Sequence, residues 1–336
     1  MAARLPRIAL RLPAEDTAGD GIALATAEAV MHLAERSAVE LVPDHGRSSA
    51  ADIVHTVGSA GQTYLRDRSA RSSRVPWVHS LAPIPVGRRR PSRSGGSARS
   101  SMTAFDPDWY LVHGQAAWRA AIDSGLVPTE RTHCAPVLSV ATDALAEPAH
   151  TTRRVQRQLL DIPPGVRIVL GCGTGRDRGR RMLQAAVEQL RRADVVAIWV
   201  DADQRAEVLA TDGQPARAVP DAVNVTSMLL AADVFVATSN RVGTASVGAL
   251  AIDLGIHTIA ESSDPSAELL SGGRGIVVAS DDVTAVAAAL RSVVDDRRRA
   301  LDAGGRRARR VEQLAQSIER LYERALERPV ALQVAG

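Results

Sequence analysis

Residues 223–260, VNVTSMLLAADVFVATSNRVGTASVGALAIDLGIHTIA, carry the pattern that decides the fold. SMLLAA (227–232) suits a short helix. DVFVATS (233–239) is a compact β-branched and aromatic run, the mark of a buried strand. ASVGALAIDLG (245–255) spaces small and apolar residues for a helix and closes on Gly255, a natural helix stop. HTIA (257–260) is a strand again, and Val223–Val225 reads as a further short strand ahead of the first helix. Strand, helix and strand in such close succession make the βαβ crossover of a parallel sheet.

The same alternation extends in both directions. Upstream lie a strand at VRIVL (166–170), a helix at RGRRMLQAAVEQLRR (178–192) and a strand at VVAIWV (195–200). Downstream lie a strand at GIVVAS (275–280) and closing helices over 282–296 and 297–327. A linker with a short helix and Pro163-Pro164-Gly165 precedes this series. Before it stands another: strands at Ile8–Leu12, Val39–Val42, Asp52–Val57, Pro76–Ser80 and Trp109–His113, with a helix through ATAEAVMHLAERS (25–37). The expected architecture is α/β, with two Rossmann-like domains at 1–147 and 148–328, the first shortened.

Composition agrees with two domains. The chain has 336 residues and 45% hydrophobic residues, enough for two cores; aromatics are only 3%, so those cores are built from Ala, Val and Leu. All 41 basic residues are arginine, so any role usual for a lysine ammonium falls to a planar guanidinium. The net charge of +3 is modest and no nucleic-acid motif occurs, which argues against a nucleic-acid partner. Cys134 and Cys172 lack metal-ligand spacing; they read as free thiols of a cytoplasmic protein, with no metal expected. Arg7 and Arg11 interrupt the first apolar run, which reads as a strand rather than a signal peptide. No stretch approaches the roughly 20 apolar residues that span a bilayer. The Arg88–Arg99 stretch sits in GRRRPSRSGGSARSS (87–101), either a solvated insert or a basic lip that meets phosphate or anionic lipid peripherally.

One turn carries possible chemistry. VRIVL runs into GCGTGRDRG (171–179) and then a helix, an arrangement that presents backbone N–H groups and a helix dipole to an anion. Gly171 and Gly173 fit the first two glycines of a dinucleotide fingerprint, with Asp201 ending the next strand, but the third glycine position holds Arg176. Three readings stand: a nicotinamide dinucleotide, a tight turn without ligand, or a diphosphate held by Arg176 or Arg178.

Residues 150–327 resemble, collinearly, the donor domain of family-four glycosyltransferases, which have the GT-B fold of two Rossmann-like domains facing across a cleft. Arg178-Gly179 resembles the family's basic-Gly pair after the glycine turn. The resemblance implies that Arg176 and Arg178 hold the donor diphosphate, with Gly173 beside them. ADVFV, Ser239, Gly243 and Gly255 stand in register with the family's most recognisable stretch, and Thr244 and Ser246 fall in its donor loop. The last helices resemble the family's C-terminal segment, which crosses back onto the first domain. The first half matches more weakly. Gly19-Asp20-Gly21 resembles the glycine loop that faces the donor phosphates, and DIVH and VPWVHS resemble two family strands. His79 falls where these enzymes place a histidine near the donor sugar, a catalytic position.

One departure is specific. The family has two glutamates with seven residues between them, and here those places hold Val242 and Leu250. Neither accepts a hydrogen bond from a sugar hydroxyl. A buried ribose hydroxyl without a partner costs about 1–3 kcal/mol, roughly one to two orders of magnitude in donor affinity. Asp253 lies a turn beyond Leu250, while Glu261 and Glu268 do not match the signature spacing. Three functional expectations follow. The first is a retaining glycosyltransferase that moves a sugar from a UDP- or GDP-type nucleotide sugar, its substrate rather than a cofactor, to a glycan, lipid or small-molecule acceptor. The second is an inactive paralogue that supports another glycosyltransferase. The third is another GT-B or Rossmann enzyme, such as a sugar epimerase or a nicotinamide-dinucleotide protein.

Overall fold

The structure, a computed structural model, describes residues 4–12, 21–42, 51–58, 75–81, 106–137, 149–173, 178–201, 205–210, 215–219, 225–238, 242–270, 275–295 and 303–327. The chain divides into two compact units: Met1–Leu138 with Ala308–Gly336, and Ser139–Arg307.

In the first unit, β1 (Arg7–Arg11), β2 (Glu40–Leu41), β3 (Ile53–Val57), β4 (Trp77–Ser80), β5 (Trp109–His113) and β6 (Thr132–Ala135) form one sheet in the order β2-β1-β3-β4-β5-β6. Every pairing in it is parallel. Helix α1 (Gly21–Glu35) lies between β1 and β2, and α2 (Gln115–Asp123) follows β5. The boundary lies at Leu138/Ser139 rather than at 147/148, and the closing helix returns to the first unit, as the family resemblance implies. The reason lies in α8 (Ala303–Glu327). Its apolar residues Val311, Leu314, Ala315, Ile318, Leu321, Tyr322 and Ala325 recur at helical spacing. They are buried in one cluster with Ile8 of β1, Val30 and Leu33 of α1, and Ile53 of β3.

The second unit holds α3 (Ala149–Leu159), β7 (Arg167–Cys172), α4 (Arg178–Glu188), β8 (Val195–Val200), β9 (Ala206–Val208), β10 (Arg217–Ala218) and α5 (Val225–Ala231). After these come β11 (Val234–Ala237), α6 (Val242–Asp253), β12 (His257–Glu261), β13 (Ile276–Val278) and α7 (Val283–Val293). Its sheet runs β10-β9-β8-β7-β11-β12-β13. Alternate residues go to opposite faces, as a strand requires. Ile168, Leu170, Val196, Ile198 and Phe235 join one core with Met228 and Leu229 of α5 and Leu250 of α6. Val169, Val195, Ala197, Val234 and Val236 join another with Leu183 of α4 and Leu290 of α7. Both faces are covered, which explains why these strands read as nearly continuous apolar runs.

One local reading needs correction, and one strand pair has no counterpart in the sequence reading. Val225 begins helix α5 rather than ending a strand, because Met228 and Leu229 bury completely on its inward side; residues 223–224 lie outside the described residues. The antiparallel pair β9–β10 at the sheet edge has strands of three and two residues, too short for a period-two signal. Gly255 does end α6 as its sequence suggests. It has φ +70°, its N–H donates to Ile252 O (3.1 Å), and the Ile256 N–H donates to Ala251 O (2.9 Å).

Candidate functional site

The order of the second sheet has a reversal. From β7 the chain proceeds outward through β8 on one side, then returns to lay β11 on the other side of β7. In open α/β sheets the crevice beyond the carboxyl ends at such a reversal is the usual ligand site. The glycine turn follows β7 at this point, and the N-terminus of α6 follows β11.

The glycines of the turn have separate jobs. A Cβ on Gly171 would stand 2.8 Å from Leu183 Cδ2 and 2.9 Å from the Trp199 ring, so this glycine lets α4 and β8 pack closely. The Gly173 N–H donates to Val200 O (3.0 Å), so this amide extends the sheet. Residues 174–177, with Arg176, lie outside the described residues, as do Gly19, Ser239 and the Arg88–Arg99 stretch. Gly21 is the first residue of α1. Val242, Gly243, Thr244 and Ser246 form the first turns of α6, and their side chains lie outside the described residues.

Arg178 opens α4, where the helix begins after the turn. Its guanidinium forks onto Glu261 at the carboxyl end of β12, with Nη1 to Oε1 at 3.2 Å and Nη2 to Oε2 at 2.5 Å. Nη1 also donates to Asp281 Oδ1. The Asp281 backbone N–H donates in turn to Glu261 Oε1 (2.6 Å). Asp281 has φ +65°, the left-handed region that aspartate tolerates better than most residues. The Glu261 side chain has no exposure, whereas Arg178 keeps 38% and Asp281 71%. Burial pulls the Arg178 guanidinium down, but its bonds to Glu261 and Asp281 outweigh that and hold it above the ordinary arginine value. Burial pushes the Glu261 carboxyl above the usual carboxylate range, against the pull of the Asp281 amide and Arg178. A bond between Ser262 Oγ and Ser280 Oγ (3.0 Å) ties the two loops that carry these acids.

The remaining acids have other surroundings. Leu250 is fully buried in the core, among Phe235, Met228 and Leu229, and so faces apolar side chains. Asp253 is fully buried near the end of the same helix. Asp201 accepts from the Arg205 N–H (2.9 Å) and closes a turn. Glu268 sits in a short 3-10 turn, Pro265–Leu270. No group of three or more His, Cys, Asp or Glu side chains arranged to hold a metal occurs among the described residues.

His79 lies in the first unit. It is 1% exposed, and its Nδ1 is bonded to Thr56 Oγ1 (2.8 Å), which also accepts from Trp77 Nε1 (2.8 Å). Burial pushes its pKa down to about 3, so it is neutral near pH 7. Its neighbours on adjacent strands, His55 and His113, are also buried and pushed down, to about 3 and about 4. His55 is bonded to Tyr322 Oη (2.7 Å) and Ser80 Oγ (2.8 Å). Cys134 and Cys172 are free thiols. No helix among the described residues is long and apolar enough to cross a membrane.

Glu261 and Asp281 are hard to select from sequence: Glu261 does not match the family's glutamate spacing, and Asp281 is one of a pair of acids ahead of α7. Its neighbour Asp282 is the residue that caps that helix, accepting from the Ala285 N–H (2.8 Å). The signal that marks the pair is the acid at the end of a buried strand, Glu261, which calls for a cation nearby.

No family model matches the chain, and no curated protein matches it in sequence. Solved structures do match in fold. Anabaena Alr3699/HepE, solved in complex with UDP and glucose, is 14% identical, with 97% of this chain and 100% of that chain covered and a TM-score of 0.59. A glycosyltransferase from Rickettsia africae is 11% identical over 97% and 100%, with a TM-score of 0.58. Sucrose-phosphate synthase from Thermosynechococcus elongatus is 14% identical over 96% and 100%, also at 0.58. The chain therefore has the GT-B fold of glycosyltransferases.

Proposed function

We propose that this chain binds a nucleotide-diphosphate sugar of UDP or GDP type in its second unit and transfers the sugar to a glycan, lipid or small-molecule acceptor with retention. The observation that carries the reading is Arg178. It stands at the first residue of α4, beyond a glycine turn and at the strand-order reversal, with its guanidinium held and partly exposed. A fixed positive group joined to a helix N-terminus suits a departing diphosphate, whose charge grows in the transition state. The GT-B fold supports the same ligand class, since one solved relative in fold holds UDP and glucose. In this reading Arg176 and Arg178 take the diphosphate, and the first turn of α6, with Gly243, Thr244 and Ser246, approaches the sugar and nucleotide.

A second reading has its own support. Leu250 is buried in an apolar core, so the place of the family's second glutamate is not open to a ligand. An inactive partner of an active transferase is consistent with that. Release of UDP or GDP from a panel of nucleotide sugars separates the two. The transferase reading expects turnover that Arg178→Ala lowers about 100-fold in kcat/KM. No turnover with any donor, together with co-purification of a second transferase, would establish the partner reading instead.

A further inference from the structure

Arg178 is held by two carboxylates of opposite character. Glu261 has no solvent exposure, contacts both Nη atoms and is itself fixed by the Asp281 amide. Asp281 is largely exposed and contacts Nη1 alone. Its left-handed backbone turns its N–H onto Glu261 while its side chain reaches Arg178. A guanidinium has five N–H donors in a fixed fork, and the described bonds use three of them. The three charges sum to −1, so an incoming dianion meets an acid on the exposed side of the cation.

We propose that Glu261 is a positioning residue that fixes Arg178 at the start of α4, and that Asp281 occupies the place on Arg178 that a ligand diphosphate takes by displacing it. The inference rests on the diphosphate-binding reading given above. Glu261 keeps the guanidinium oriented in both states. Asp281 lies in solvent and exchanges a bond worth little in water for hydration when it leaves. A diphosphate brings more charge and more acceptor oxygens to the same fork. The loop carrying Asp281 thereby makes occupancy of Arg178 competitive.

Calorimetry with UDP and with inorganic pyrophosphate on the whole chain tests this. Asp281→Asn keeps a residue suited to the left-handed backbone and removes the competing charge, so it raises the affinity for both probes about two- to fivefold. Glu261→Gln leaves Arg178 poorly oriented and lowers affinity about tenfold. The opposite signs are what general loss of structure cannot produce. In an Arg178→Ala background both effects vanish, because each acts through that side chain. If the wild-type protein binds and Arg178→Ala abolishes binding, but Asp281→Asn binds equally or more weakly, the inference fails while the diphosphate reading stands. Binding by Asp281→Asn where the wild-type protein shows none supports the inference. Binding of neither probe by any variant overturns both.

Discussion

At position 250 a leucine stands among Phe235, Met228 and Leu229 with no exposed surface. The family resemblance expects a glutamate there, yet the described side chains clustered with Leu250 are apolar and offer a carboxylate no partner. Leu250→Glu should therefore cost about 3–5 kcal/mol, seen as a lower urea midpoint, and should not raise affinity for UDP. A stable Leu250→Glu variant that binds UDP more tightly would show instead that the position faces ligand. The sequence made Leu250 legible as a departure but not as core, since one residue's type does not say which side of a helix is inward. It was legible that Arg178 follows a glycine turn. That Glu261 and Asp281 hold it was not, because they lie 83 and 103 residues away along the chain.

At the scale of elements, the glycine turn is shaped by packing before it meets any ligand. Gly171 lets α4 and Trp199 approach the same backbone, and a methyl group there would stand about 2.8–2.9 Å from both. Gly171→Ala should then destabilise the second unit by about 1–3 kcal/mol in thermal or urea melts, whatever it does to binding. A second packing site lies on α6, where a Cβ on Gly248 would meet Ser266 Oγ at 2.2 Å. The N-terminal edge of the sheet is closed by Asp233. It accepts from Arg153 Nη2 (2.6 Å), Arg157 Nη1 (3.3 Å) and the Ile168 N–H (2.9 Å), tying α3 and β7 to β11. Elements with a long periodic or β-branched signal, β7, β8 and α6, were readable within a few residues. The short β9 and β10 were not, because their pairing is set by neighbouring strands.

Over the whole molecule, most of the fold was legible because the alternation of strands and helices recurs through both units. The inward stripe of the closing helix is plain in the sequence, but periodicity does not say which sheet it covers; only the family resemblance implies its return to the first unit. The first unit also carries a pH dependence that its sequence only hints at. His55, His79 and His113 are buried on neighbouring strands, with pKa values pushed to about 3, about 3 and about 4, from 6.5. The unfolded chain binds more protons than the folded one between these values and pH 6.5. Stability from this source is thus full above about pH 6.5 and falls as pH drops, by up to about 1.4 kcal/mol per pH unit for each histidine. Urea titrations of the intact protein between pH 7 and pH 5 should show it, and His55→Gln should flatten the slope. Unchanged stability over that range would mean that the histidines titrate in the folded state. The central claim, that the strand-order reversal of the second unit binds a diphosphate on Arg178, is tested most directly by a crystal structure with UDP or GDP. The account predicts diphosphate oxygens on the Arg178 guanidinium, with Glu261 still bonded to it and Asp281 released. A diphosphate bound elsewhere, with the Arg178–Asp281 pair intact, would contradict it.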